Sequence, residues 1–244
     1  MLRTAKGVAR LNLDDFILHA SVLGGLFLII HVVTVLAVKF SGEGTSLMLS
    51  GVLLPVAGAF LLGIMSIGHV MTTFEQGVRF GQSRKNALLL TAGQITLECA
   101  FVAALSFALT ALERAFAPNL WLWVSGADFI TWGIEGRKIP EGSVFVPDSA
   151  ELFIEVFEIE WWAMLLILLA GAVIGFVAGA VMQRFGRTGG WALWGAWMVA
   201  MILFPRLPWR THEVVDWLIP LLVAVAAAAF LWSIWSMLRA SIKA

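Results

Sequence analysis

Six apolar runs, each close to the thickness of a bilayer, decide most of what this chain can become. A helix needs about 20 apolar residues to cross roughly 30 Å of hydrocarbon. Residues 16–38, 47–71, 87–112, 161–182, 190–204 and 214–237 approach that length. In lipid a segment must satisfy its own backbone hydrogen bonds, so such runs are expected to be helices. The expected fold class is an all-α membrane protein, with six transmembrane helices in a single transmembrane domain over residues 1–244. The fifth run is the shortest, and Pro205 and Pro208, which break helices, close it. A short, tilted or broken fifth helix is expected.

Composition agrees: 60% of the 244 residues are hydrophobic and 13% charged, against about a quarter charged in soluble domains. The formal net charge is zero, so a nucleic-acid partner has no electrostatic support. Cys99 is the sole cysteine, which excludes an intramolecular disulfide and a cysteine-based zinc site. Arg3, Lys6 and Arg10 precede the first run as in a signal peptide, but no small-residue cleavage pattern follows. A retained helix is expected there. Residues 1–15 mix apolar and charged side chains, which suits a short interfacial elbow helix as well as a frayed terminus.

Lysine and arginine set the orientation. With the N-terminus cytoplasmic, the inside segments hold ten basic residues and the outside segments six. Every short inside segment is basic, so both termini are expected inside. Tryptophan, which prefers the headgroup level, supports these spans. Trp161 and Trp162 open the fourth run, and Trp217 and Trp235 bracket the sixth.

Two polar regions interrupt the pattern. Residues 113–160 form one larger extracytoplasmic loop region, with nine acidic residues against three basic. Residues 149–160 read as a helix leading into the fourth span, with Glu151, Glu155 and Glu158 on one face. That face is either an acidic vestibule for cations or simply solvated. Trp121, Trp123, Phe129 and Trp132 suit a cap on the bundle or a dip into the interface. The second region, residues 72–86 on the inside, reads TTFEQGVRFGQSRKN. Gly77 and Gly81 allow sharp changes of direction, and the pattern suits an amphipathic turn on the membrane or a docking knob for a cytosolic partner.

Gly171, Gly175 and Gly179 recur every four residues in the fourth run. Small residues at this spacing let helices approach closely in lipid. Packing within the subunit is the simpler reading, a homodimer seam the other.

Ionisable residues inside a membrane are costly and count as functional candidates. Glu98 lies near the middle of the third run with no charged residue at helical spacing. It must face a wet cavity, pair with another helix or be protonated, and it is read either as part of a substrate pathway or as a bundle-holding hydrogen bond. His19, His31, His69 and His212 raise the question of a b-type haem, which needs two histidines at matching depth. By position along the runs, His31 and His69 do not match, whereas His19 and His69 do. There is no G-x-x-x-x-G-K-[ST] loop, no H-E-x-x-H and no G-x-S-x-G. The chain is therefore not expected to be an enzyme, and any ATP would be bound by another chain.

The phrase F-E-Q-G-V-R-F-G-Q-S-R-K resembles the loop between the second and third spans of bacterial ABC-2-type permeases. There a phenylalanine is followed by Gly-x-Ser/Thr-Arg-Arg/Lys just before the third helix, and the matching positions here are Phe74, Gly81, Ser83, Arg84 and Lys85. The resemblance extends to six spans and an inside N-terminus. It implies a permease subunit of an ATP-driven exporter in a bacterial cytoplasmic membrane. Its partners would be an ATP-binding subunit, carrying ATP and magnesium, and a second permease subunit, identical or homologous. This chain would bind no cofactor of its own. The loop, with Phe74, Glu75, Gly77, Arg79, Gly81, Ser83, Arg84 and Lys85, would couple to the ATPase. On this reading Phe74 and Glu75 contact the ATPase, and Arg84 and Lys85 hold the loop to anionic headgroups or mark the topology. The alternative from another class is a membrane anchor or b-haem-carrying subunit of a respiratory complex.

Overall fold

The computed structural model describes residues 13–41, 45–127, 129–134, 151–203 and 212–239. Most of the expected elbow helix lies outside these residues, as does the segment holding Pro205 and Pro208. In chain order the elements are α1 (Leu13–Ser41), β1 (Thr45–Met48), α2 (Ser50–His69), a π-helical turn (Val70–Phe74), α3 (Glu75–Arg79), α4 (Arg84–Ser125), β2 (Phe129–Ile134), β3 (Glu151–Val156), α5 (Trp161–Phe185), α6 (Arg187–Leu203) and α7 (His212–Arg239).

Among the described residues, five helical segments are long and apolar enough to cross a membrane: Leu13–Phe40, Ser50–Arg79, Arg84–Ser125, Trp161–Phe185 and Pro220–Arg239. Their outer faces carry exposed apolar side chains such as Leu28, Phe60, Ile174 and Val223. Hydrocarbon solvates such faces, whereas water would drive them together. The chain is thus a largely helical, multi-pass membrane protein. Helix α6 has 17 residues, about 26 Å at 1.5 Å per residue, and falls short of the hydrocarbon thickness.

The chain divides into two compact units, one of Met1–Leu61 with Glu98–Leu169 and one of Leu62–Leu97 with Ala170–Ala244. In the first unit a three-stranded parallel sheet, in the order β1-β3-β2, joins segments far apart in the chain. Thr45 pairs with Phe153 and Met48 with Val156, while Phe129 pairs with Glu151 and Ile134 with Val156. The core beneath it is Met48, Ala117, Trp121 and Ile154, with Val35, Phe116 and Ile130 packed around them.

This sheet corrects two expectations. Residues 151–156 are a central strand instead of the helix expected across 149–160, so Glu151, Glu155 and Glu158 share no helical face. Leu152, Ile154 and Val156 alternate with Glu151, Phe153 and Glu155, which is the two-residue period of a strand. Strands on both sides then supply the backbone partners. The second correction concerns residues 113–125, which lie in the expected loop region and extend α4 to 42 residues. Glu113, Ala117 and Trp121, at a spacing of four, form a fully buried stripe. Helix α4 stops before Gly126, whose φ of +73° suits the glycine that ends a helix.

In the second unit the glycine stripe of α5 packs within the chain. A Cβ on Gly175 would meet the backbone of Gly63, and one on Gly179 would meet Val70 and the Cα of Ile67. The carbonyl of Gly171 lies against Gly63 in turn. The close approach leaves no room for a Cβ on Gly175 or Gly179.

Candidate functional site

The polar stretch 72–86 is mostly helix. The backbone passes from α2 through Val70–Phe74 into α3 without a break, and only Phe80, Gly81, Gln82 and Ser83 turn the chain. Three of these four amides are satisfied locally: Phe80 N–H donates to Gln76 O at 2.9 Å, Gly81 N–H to Val78 O at 3.1 Å and Gln82 N–H to Gly77 O at 3.0 Å. Gly81 has a φ of +84°, a region that a side chain disfavours. Ser83 caps α4 by accepting the Asn86 N–H on Oγ at 3.2 Å.

Side-chain contacts stiffen the turn further. Arg79 and Glu75 form an ion pair one helical turn apart. Arg84 Nη1 donates to the carbonyl of Leu238 at 3.3 Å, neutralising one of the unpaired carbonyls at the end of α7. Near the same carbonyl terminus, Arg184 donates to Ser236 Oγ at 3.0 Å and stands over the rings of Trp232 and Trp235 at 5.7 and 5.8 Å.

Several roles expected for this stretch change. The Phe74 side chain is 0% exposed, so it belongs to the core and offers nothing to a partner. Phe80, 86% exposed, is the apolar group that the turn presents, flanked by the exposed Gln76, Arg79, Gln82 and Lys85. Phenylalanine does not announce its own burial. Phe74 continues the buried face of α2 through Val70, four residues earlier, and Phe80 lies past the end of the helix. Gly77 is helical and does not redirect the chain. Its missing side chain makes room for Ala87 Cβ and Gln82 Oε1, each 3.1 Å from where a Cβ would stand. Arg84 donates to the end of α7, and both Arg84 and Lys85, the cations expected to meet headgroups, are exposed.

A second constellation lies in the first unit. Glu98, 1% exposed, meets His19 of α1, with His19 Nε2 4.0 Å from Glu98 Oε2. Higher on the same two helices, His31 Nε2 stands 3.5 Å from Glu113 Oε1. Ser50, the first residue of α2, donates its hydroxyl to the same oxygen at 2.9 Å. Both histidines hold their other nitrogen against the carbonyl four residues back, His19 Nδ1 to Asp15 O at 2.6 Å and His31 Nδ1 to Phe27 O at 2.8 Å. Sequence reading singled out His19, His31 and Glu98 but missed Glu113 and Ser50. The signal for Glu113 was its place in the stripe with Ala117 and Trp121, which a boundary drawn at residue 112 cuts off.

Around His31 the rings of Phe27, Phe116 and Trp121 lie with centroids at 4.2, 5.1 and 6.3 Å. A porphyrin ligated by His31 would need the space these rings fill. In the second unit His69 is buried, with Gln94 Nε2 at 3.4 Å from its Nε2 and Thr73 Oγ1 at 3.5 Å from its Nδ1.

Beside this network a cavity of about 350 Å³ is lined in part by Phe107, Arg114, Glu158, Trp161 and Met164. Arg114 binds the Glu158 carboxylate with two nitrogens, so Glu158 is paired and is not an open vestibule charge. No protein-family model, curated protein or solved structure matches this chain.

Proposed function

We propose that the chain is a six-span permease subunit of an ATP-driven exporter of the ABC type. It works in a bacterial cytoplasmic membrane with a separate ATP-binding subunit and a second permease subunit. On this reading both termini are cytoplasmic, α6 belongs to the fifth and shortest span, and residues 72–86 meet the ATPase. The cargo is a peptide, drug or lipid.

The observation that carries the reading is the turn that presents Phe80. A coupling element must transmit a push of a few ångströms without bending, and packed helices pass such shifts on as rigid-body motion. This turn has the amides of Phe80, Gly81 and Gln82 satisfied, its second helix capped and Arg84 tied to the end of α7. An exposed phenylalanine on such a support suits an apolar groove on a partner. The chain has no phosphate-binding loop of its own, in keeping with ATP hydrolysis on another subunit.

The test is copurification from the native membrane, followed by ATPase assays on the Phe80→Ala variant. An ATPase of the size of a single two-lobed domain should come down with the wild-type chain. The variant should insert normally and lose most of the substrate-stimulated hydrolysis. Unchanged coupling in the variant, or a Soret band in the pure protein, would sink the proposal.

A further inference from the structure

We infer that His31 and Glu113, with Ser50, form a buried binding site for a single proton. The inference rests on hydrogen-bond bookkeeping in the first unit and stands apart from the transport reading. A backbone carbonyl has no hydrogen to give, so the 2.8 Å contact from His31 Nδ1 to Phe27 O requires the hydrogen to be on Nδ1. The tautomer of the ring is thereby settled, and in the neutral ring Nε2 carries only a lone pair.

That lone pair faces a carboxylate oxygen. Nε2 lies 3.5 Å from Glu113 Oε1 and has no hydrogen-bond donor or acceptor partner, although it is buried. Glu113 Oε1 already accepts the Ser50 hydroxyl, so Ser50 has no hydrogen left for the ring. With His31 neutral and Glu113 ionised, two electron-rich atoms would face each other away from water, and the carboxylate charge would have hydrogen bonds from Ser50 but no countercharge facing it. A bridging water cannot relieve this, because two hydrogen bonds of about 2.8 Å would hold the groups about 4.5–5.5 Å apart. One added proton from solvent resolves the contact. It sits either on Glu113, donated to Nε2, or on Nε2, donated to the carboxylate. A second would leave two donors facing each other.

Helix α1 contributes His31 and α2 the neutral Ser50, while α4 supplies Glu113 itself and the rings of Phe116 and Trp121. Of the further charges, Glu158 after β3 acts on Glu113 and is itself held in a two-pronged pair by Arg114 of α4. The loaded proton therefore joins α1 to α4, with α2 attached through Ser50, beside the core that carries the sheet.

The test uses the full chain in lipid nanodiscs with ¹⁵N-labelled histidine, His31 being assigned by its loss in His31→Gln. The expected spectrum at neutral pH shows His31 Nε2 in a shared hydrogen bond with Glu113. On alkaline titration this signal should change in one step, with loss of a single proton. Glu113→Gln should abolish that step, because an amide can donate to Nε2 without a titrating proton. Should Glu113→Gln fail to fold, Ser50→Ala keeps both partners and should displace the step without removing it. A bare, unbonded Nε2 in the wild type from mildly acidic to neutral pH would overturn the assignment. So would a His31 titration step that persists unaltered in Glu113→Gln or in Ser50→Ala.

Discussion

A Cβ placed on Gly175 would overlap the carbonyl oxygen of Gly63, so these two glycines set how closely α5 and α2 approach in the second unit. The reverse substitution is milder, since a Cβ on Gly63 would lie 3.3 Å from the carbonyl oxygen of Gly171. Gly175→Ala is expected to destabilise the protein by roughly 1–3 kcal/mol or more through overpacking. Gly63→Ala should cost clearly less. Thermal unfolding of the purified variants in one detergent checks this, and equal losses would show that the backbone contact does not limit the packing.

Phe74 and Phe80 should separate stability from partner recognition. Phe74→Ala removes a fully buried ring and is expected to cost about 3–5 kcal/mol. Phe80→Ala removes an exposed ring and should leave the unfolding temperature within error of wild type. If the ATPase proposal holds, only Phe80→Ala yields a folded protein with defective coupling. A large stability loss in Phe80→Ala would mean that the ring has a partner within this chain.

The turn owes its stiffness to separable contacts. Ser83→Ala removes the cap on Asn86 N–H and should cost about 0.5–2 kcal/mol locally. Arg84→Ala releases the Leu238 carbonyl. Hydrogen exchange should then rise near Asn86 in the first variant and near the end of α7 in the second. Faster exchange at the end of α7 in Ser83→Ala alone would contradict this division of roles.

Ile154 is fully buried in the strand that holds the other two. Ile154→Asp places a carboxylate in an apolar core, where it must shift its proton equilibrium or unfold its surroundings. Exchange protection is expected to fall together in Thr45–Met48 and Phe129–Ile134, since both strands lose their shared partner. Loss confined to Glu151–Val156 would mean that the outer strands are held by something other than β3.

The readable and unreadable parts of the chain differ in the range of the interactions that form them. The apolar runs were legible because each helix bonds its own backbone, so length and hydropathy are enough to place α1, α2, α4, α5 and α7. Ends were less legible. The boundary at residue 112 missed the extension of α4 because Glu113 breaks the apolar run but continues the helical stripe through Ala117 and Trp121. The strand at Ile154 was read with the wrong period because three glutamates at helical spacing outweighed the alternation of Leu152, Ile154 and Val156.

The candidate sites divide in the same way. The sequence by itself determined that Glu98, His19 and His31 lie in apolar runs, where an ionisable group must find a partner, and that the stretch around Gly81 turns between two helices. Only the tertiary structure decided which partner each one found. It set Glu98 against His19, assembled His31 with Glu113 and Ser50, buried Phe74 while leaving Phe80 exposed, and paired β3 with β1 and β2. These choices depend on contacts between residues distant in the chain, and helical or strand period is a local property that says which face a side chain occupies but not what will stand opposite it.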